Sequence, residues 1–178
     1  MQLEIDGYYL RSLDVGDSEA FYKWSRDREV TLYILSLYAY PQSRSDIEKW
    51  LLVINSNAKN VSFGICSKDD DRIIGYAGLS SISALNRSCE YFILIGEKDY
   101  WCKGVGTSIT KVVTDYAIRT LGLHRVQLTA SSLNQAAIRA YANAGYQHEG
   151  VMRQSGFRNG NFVDKVLMSV LSTEWEGI

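Results

Sequence analysis

Tyr100-Trp101-Cys102-Lys103-Gly104-Val105-Gly106-Thr107 stands between an apolar run, Tyr91-Phe92-Ile93-Leu94-Ile95, and a long helical stripe. The architecture turns on what this octet does. Gly104 and Gly106 permit close backbone approach and positive φ, so successive N–H groups can point at one anion. The helix that follows adds its partial positive end and its free donors. The combination reads as a phosphate or pyrophosphate cradle, although glycine pairs also occur at plain turns. The octet lacks the Gly-Lys-Ser/Thr ending of a triphosphate-binding loop, and it lacks the third glycine of a dinucleotide fingerprint.

Residues 104–121 carry Ile109, Val112, Val113, Tyr116, Ala117 and Leu121 on one stripe, closed by Gly122. Upstream, 61–66, 72–79 and 88–95 read as strands, with Asp69-Asp70-Asp71 a solvated turn rather than a metal site. Before them, 8–13 reads as a strand. Asp17 is placed to cap a helix carrying Ala20, Phe21 and Trp24. Ser43 and Asp46 open a second helix, with Ile47, Trp50, Leu51 and Ile54 on one face. Between these helices, 30–42 holds Tyr33, Tyr38 and Tyr40.

Downstream, Val126, Leu128 and Ala130 alternate as a strand, and Asn134 to Ala144 reads as a helix ended by Gly145. Strands over 146–157 and 162–171 flank Arg158-Asn159-Gly160-Asn161, a hairpin turn. Strands interleaved with helices and closed by a hairpin give an α/β chain with a mixed sheet.

The chain has 178 residues, which suits one domain over 1–178. Nineteen basic against twenty acidic residues leave a formal charge of −1, so no broad field favours nucleic acid. Cys66, Cys89 and Cys102 are odd in number and form no C-x-x-C pair, which argues against a disulfide framework or a zinc cluster. The start, Met1-Gln2-Leu3-Glu4-Ile5-Asp6, has no basic n-region, and the apolar runs are far short of a membrane span. A cytoplasmic location is the expectation.

A second motif is Asn134-Gln135-Ala136-Ala137-Ile138-Arg139-Ala140-Tyr141-Ala142-Asn143-Ala144-Gly145-Tyr146. Asn134 can cap its helix or bond a ligand amide. Tyr141 lies two turns further along the same face. Taken alone it reads equally as a core tyrosine.

In this order and spacing the two motifs resemble the GNAT superfamily of acyl-CoA-dependent N-acetyltransferases, and more closely its RimJ/RimL-like branch. The branch's loop, Tyr-Trp-Gly-Lys-Gly-x-Gly/Ala-Thr, is matched by 100–107 with Cys102 in place of the first glycine. Asn-x-x-Ala-x-x-x-Tyr-x-x-x-Gly-Tyr/Phe is matched by 134–146. Glu90 to Gly96, Leu123-His124-Arg125-Val126, Glu149 to Arg153 and Gly160 to Asp164 extend the likeness over roughly 8–175.

The resemblance implies a mostly antiparallel sheet of seven strands, flanked by about four helices and splayed between the fourth and fifth strands. Acetyl-CoA would enter the cleft as co-substrate, with no metal. The loop of Cys102, Lys103, Gly104, Val105, Gly106 and Thr107 would hold its pyrophosphate. Backbone groups of Phe92, Ile93, Leu94 and Ile95 would orient the pantetheine. Asn134 matches a coenzyme-contacting asparagine, and Arg139 is placed to face phosphates. Tyr141 matches the tyrosine that protonates the departing thiolate.

Acyl transfer also needs something to take the ammonium proton. Glu90, at the start of the strand that runs to the thioester, is the first candidate. Val126-Gln127-Leu128-Thr129-Ala130 offers no carboxylate, which leaves a water relay open as well. Asp164 is read as a strand carboxylate serving a turn, His124 as a capping or strand-edge group and His148 as surface polar. Cys102, at a helix start, is a candidate reactive thiol.

The expected reaction is direct acetyl transfer to the primary amine of a small molecule or a protein N-terminus. A polyamine is the alternative acceptor; it would favour clustered carboxylates, for which Asp27 and Glu29 are the candidates. A non-catalytic acyl-CoA-binding module is the alternative of another class. Partners are then an amine acceptor, without nucleic acid or membrane; a homodimer is compatible with the resemblance.

Overall fold

The computed structural model describes residues 2–33 and 40–178. Eight strands form one sheet in the order β1-β2-β3-β4-β5-β6-β8-β7. They are β1 (Leu3–Ile5), β2 (Tyr8–Ser12), β3 (Val61–Ser67), β4 (Ile73–Ser83), β5 (Ser88–Ile95), β6 (Arg125–Ser131), β7 (Gln147–Arg158) and β8 (Asn161–Leu171). Every neighbouring pair is antiparallel except β5–β6. The expectation of seven strands is corrected to eight, because Leu3–Ile5 pairs with Tyr8–Leu10 as a short edge strand. Three residues are too few to show a period in sequence.

The helices are α1 (Ser18–Ser25), α2 (Arg28–Thr31), α3 (Arg44–Val53), α4 (Val105–Asp115) and α5 (Gln135–Asn143). The single-turn α2 raises the expected four to five. It is nucleated by Asp27, whose side chain accepts from the amides of Glu29 and Val30. Asp17 does not cap α1. Its carboxylate is buried and takes the fork of Arg11 at 2.7 and 2.9 Å together with the Asp14 amide. Ser43 and Asp46 do form a capping box at α3. The stripe of 104–121 breaks at its end: Tyr116–Thr120 widens into a π-turn, and Leu121 is exposed instead of packed. Asn159 and Gly160, both at positive φ, make the β7–β8 turn.

Two apolar layers cover the sheet. On one face Ile109, Val112 and Val113 of α4 pack against Ile65, Ala77, Leu79, Val126 and Leu128. On the other, Phe21 and Trp24 of α1 and Ile47 and Leu51 of α3 pack against Tyr76 and Leu94. The Trp24 indole lies flat on Gly96, where a Cβ would come within 2.2 Å of ring carbons. Its N–H donates to Glu97 at 2.9 Å, which fixes α1 to the end of β5. Among the described residues no helix is long and apolar enough to cross a membrane, and no group of three or more His, Cys, Asp or Glu could hold a metal ion.

Candidate active site

Strands β5 and β6 pair only at Ser88↔Arg125, Cys89↔Val126 and Glu90↔Gln127. Beyond Glu90, β5 continues on β4 as far as Ile95↔Gly75, while β6 continues on β8 as far as Ser131↔Lys165. The two strands therefore part immediately after the Glu90–Gln127 pair. The edges of 91–95 and 128–131 that face one another are left free of ladder bonds. This is the gap expected between the fourth and fifth strands, now the fifth and sixth because β1 is counted.

The octet lies at the open end of the gap. A 3₁₀ turn, Lys98–Tyr100, leads into it, and the Trp101 indole donates to the Ile95 carbonyl at 2.9 Å. That bond ties the loop to the last residue of β5. Cys102 and Gly104 both have positive φ, 58° and 81°. A glycine pays little for that conformation; an exposed cysteine pays more. Gly104 is the N-cap of α4 and has no capping side chain. Among the described residues, the amides of 102–107 have no intramolecular acceptor, while Ser108 bonds to Gly104. Lys103 and Arg139 are exposed, and neither is in an ion pair among the described residues.

Helix α5 packs on α4 where Gly106 meets Ala140: an added Cβ would touch the Ala140 Cβ at 3.8 Å, and the Thr107 hydroxyl donates to the Ala140 carbonyl at 3.3 Å. Asn134 caps α5 by accepting from the Ala137 amide at 3.2 Å. Its carboxamide nitrogen has no partner among the described residues.

Tyr141 projects from α5 onto two other tyrosines. Its ring centroid is 6.2 Å from Tyr91 in an edge-on arrangement and 6.3 Å from Tyr146. Tyr146 is bonded to Thr114 at 2.8 Å and Tyr91 to Thr110 at 3.1 Å. The Tyr141 hydroxyl bonds to no described residue. Burial pushes this phenol up to about 12, so it is a neutral proton donor at physiological pH.

Glu90 is half-buried, and its carboxylate has no partner among the described residues. Side chains of consecutive strand residues point to opposite faces. Cys89 and Tyr91 belong to the α4 side, while Phe92 and Leu94 belong to the α1–α3 side with Glu90. Burial, aided by the charge of Glu90, pushes the Cys89 thiol up to about 12 and keeps it protonated. His124 sits at a strand edge, 2.9 Å from the Ser172 hydroxyl; Asp164 takes the Gln154 amide at 2.7 Å; His148 is exposed.

Sequence reasoning missed Tyr91, Thr110 and the polar set Arg125, Glu149 and Ser169. Thr110 had one signal, a polar residue inside the apolar stripe of α4. Of the 30–42 segment, Val30 is buried, Tyr40 is exposed, and 34–39 with Tyr38 lie outside the described residues. Asp27 and Glu29 are both held by the Lys98 ammonium, at 2.8 and 2.6 Å.

Residues 8–147 match the family model of the GNAT acetyltransferase domain. The chain belongs to the GNAT acetyltransferase family. It is accordingly an acetyl-CoA-dependent N-acetyltransferase. Among relatives of this GNAT chain, the uncharacterized N-acetyltransferase YoaA of Bacillus subtilis is 27% identical over 95% of this chain and 96% of its own. A spermidine N(1)-acetyltransferase of Vibrio cholerae is 25% identical over 93% and 94%. The crystal structure of spermidine N-acetyltransferase from Vibrio cholerae in complex with CoA and spermine shares the fold, with a TM-score of 0.86 at 24% identity over 96% of this chain and 98% of that one.

Proposed function

We propose that this GNAT enzyme, of the RimJ/RimL-like branch and cytoplasmic, acetylates the primary amine of a small molecule or a protein N-terminus, and that polyamines are poor acceptors. The parting of β5 and β6 just past Glu90 and Gln127 is the observation that carries the reading. Glu90 lies on one face of the gap and Tyr91, leaning on Tyr141, on the other. An amine and a departing thiol can then use opposite sides of one thioester.

In this reading the unbonded amides of 102–107 hold the pyrophosphate, with Lys103 and Arg139 nearby. Asn134 and the free edge of Phe92 to Ile95 orient the pantetheine. Glu90, directly or through one water, takes the ammonium proton, and the freed nitrogen attacks the thioester carbonyl. Backbone N–H groups of the gap stabilise the oxyanion. As the C–S bond breaks, the thiolate takes the phenolic proton of Tyr141; the attacking nitrogen gives its second proton back to the tyrosinate through water, and Glu90 releases its proton to solvent.

Charge favours an acceptor with a single amine. A polyamine needs several carboxylates for its several ammonium groups, yet Asp27 and Glu29 already hold Lys98, and Glu19 holds Arg44. Residues 30–42 contain no acid at all. The relatives named for spermidine keep the alternative worth testing. The experiment is an acceptor panel of amino acid amides, amino sugars, an N-terminal peptide and spermidine, scored by CoA thiol release and product mass. Efficient turnover of spermidine alone reverses the acceptor reading. Acetyl-CoA binding with no thiol release from any amine makes the chain a coenzyme-binding module instead.

A further inference from the structure

Gln127 is the residue that faces Glu90 across the last rung before β5 and β6 part. In a parallel ladder such partners project to the same face, so both lie on the α1–α3 side. The polarity of the Gln127 amide is fixed by chemistry. Arg125 Nε approaches its carboxamide at 3.0 Å, and a guanidinium N–H can only donate. The atom it meets must therefore be Oε1.

Arg125 is itself immobilised. Its two terminal nitrogens fork onto Glu149 at 2.7 and 2.5 Å, one of them also reaches Ser169 Oγ at 3.2 Å, and the buried Ser169 hydroxyl donates to Glu149 at 2.6 Å. The set spans β6, β7 and β8. Arg125 and Ser169 hold the Glu149 carboxyl down at about 2, so the fork stays charged at any working pH. Arg125 occupies one lone pair of the Gln127 oxygen and fixes its NH2 group on the other side of the carboxamide, where both N–H bonds are left to offer. No described residue accepts from that group, and none donates to the Glu90 carboxylate beside it.

The mouth of the gap thus presents an acceptor-only carboxylate next to an unpartnered amide donor. A primary ammonium satisfies Glu90, but a plain alkyl chain beside it leaves Gln127 without a partner. An oxygen two or three carbons from the amine satisfies both. We infer that Glu90 and Gln127 form a paired acceptor–donor site that selects amines bearing a nearby hydroxyl or carbonyl oxygen, such as amino alcohols, amino sugars and amino-terminal amides. This rests on the amine-acetylating function proposed above and narrows its substrate class.

The test is a set of matched amines with acetyl-CoA: ethanolamine against propylamine, glucosamine against cyclohexylamine, and alaninamide against sec-butylamine. In each pair the oxygen-bearing member should have the higher kcat/KM, by about tenfold, the scale of one hydrogen bond. Gln127→Leu should bring the ratios to about one by loss on the oxygen-bearing members. Its acetyl-CoA melting shift should match wild type, which also shows that the variant is folded. Gln127→Glu keeps the bond to Arg125 but replaces the donor with a second acceptor. It should favour 1,3-diaminopropane over 3-amino-1-propanol, the reverse of wild type. Equal kcat/KM within every pair for wild type, or unchanged ratios in both variants, overturns the inference while leaving amine acetylation intact. No thiol release from any amine removes the parent reading, and this one falls with it.

Discussion

Tyr91 and Thr110 share a buried hydrogen bond of 3.1 Å whose direction is fixed by a third group. The Thr110 hydroxyl donates its only proton to the Gly106 carbonyl at 2.6 Å, so Tyr91 must be the donor to Thr110. The edge of the gap on β5 is thereby joined to the first turn of α4, where the coenzyme loop ends.

Removing either side of that bond should have unequal effects. Tyr91→Phe leaves Thr110 bonded to Gly106 and should cost about 1 kcal/mol, the net value of one hydrogen bond. Thr110→Val strands the buried Tyr91 hydroxyl and should cost more, about 1–3 kcal/mol. Denaturant unfolding of both variants checks the order. A Tyr91→Phe variant less stable than Thr110→Val would show that the Tyr91 hydroxyl is not stranded when Thr110 is lost but finds another acceptor.

Gly104 supports a prediction in which strain and binding separate. A Cβ at this site meets nothing within 4 Å, but φ is +81°. Gly104→Val should therefore lower stability by about 1–2 kcal/mol through the left-handed conformation. It should also weaken acetyl-CoA, because it puts a branched side chain in the middle of the loop proposed to hold the coenzyme. Gly7→Val is the control, since Gly7 has φ +75° and equally open space in the β1–β2 turn. Both variants should melt lower, yet only Gly104→Val should lose the acetyl-CoA melting shift. Equal shifts in the two would move the coenzyme away from this loop.

Local signals carried far along this chain and then stopped. The Ser43–Asp46 capping box, the Asn159-Gly160 turn and the 88–95 strand were legible because each is set by residues within a few positions of one another. Asp17 misled because a long-range partner, Arg11, recruited the carboxylate that local rules assign to a cap. The Arg125, Glu149 and Ser169 set was invisible for the same reason. Its members stand on three strands, and only the β6–β8–β7 order brings them together. The site motifs were legible as a loop and a helix. Their facing across the gap depends on where the β5–β6 ladder ends, which no spacing encodes.

Tyr141 carries a kinetic and a thermodynamic prediction. As the proton donor to the thiolate, its replacement by Phe should lower kcat roughly 10²- to 10⁴-fold with acetyl-CoA affinity close to wild type. Equal loss of binding would make it a packing residue. Its pKa rises on folding from about 10 to about 12. The stability this provides is fully present below about pH 10 and is lost as pH rises through about 12. Wild type should therefore lose melting temperature relative to Tyr141→Phe between about pH 10 and 12. A constant difference between the two would mean that the phenol is solvated.

Glu90 gives the last prediction, because a direct base and the acceptor's own ionisation leave different traces. The neighbouring thiol of Cys89 is held protonated, up to about 12, and cannot substitute as a base. If Glu90 takes the amine proton, Glu90→Gln keeps the shape of β5 and removes the proton acceptor. The kcat of the variant should fall roughly 10²- to 10⁴-fold, and its acetyl-CoA melting shift should persist. The acidic limb of kcat/KM should flatten, since the group that must be deprotonated is gone. A limb that survives unshifted belongs instead to the acceptor amine, and it would move when a less basic amine is supplied. Repeating the profile with two oxygen-bearing acceptors of different basicity separates the cases. A wild-type limb that does not follow the acceptor, and is missing in Glu90→Gln, assigns the proton to Glu90.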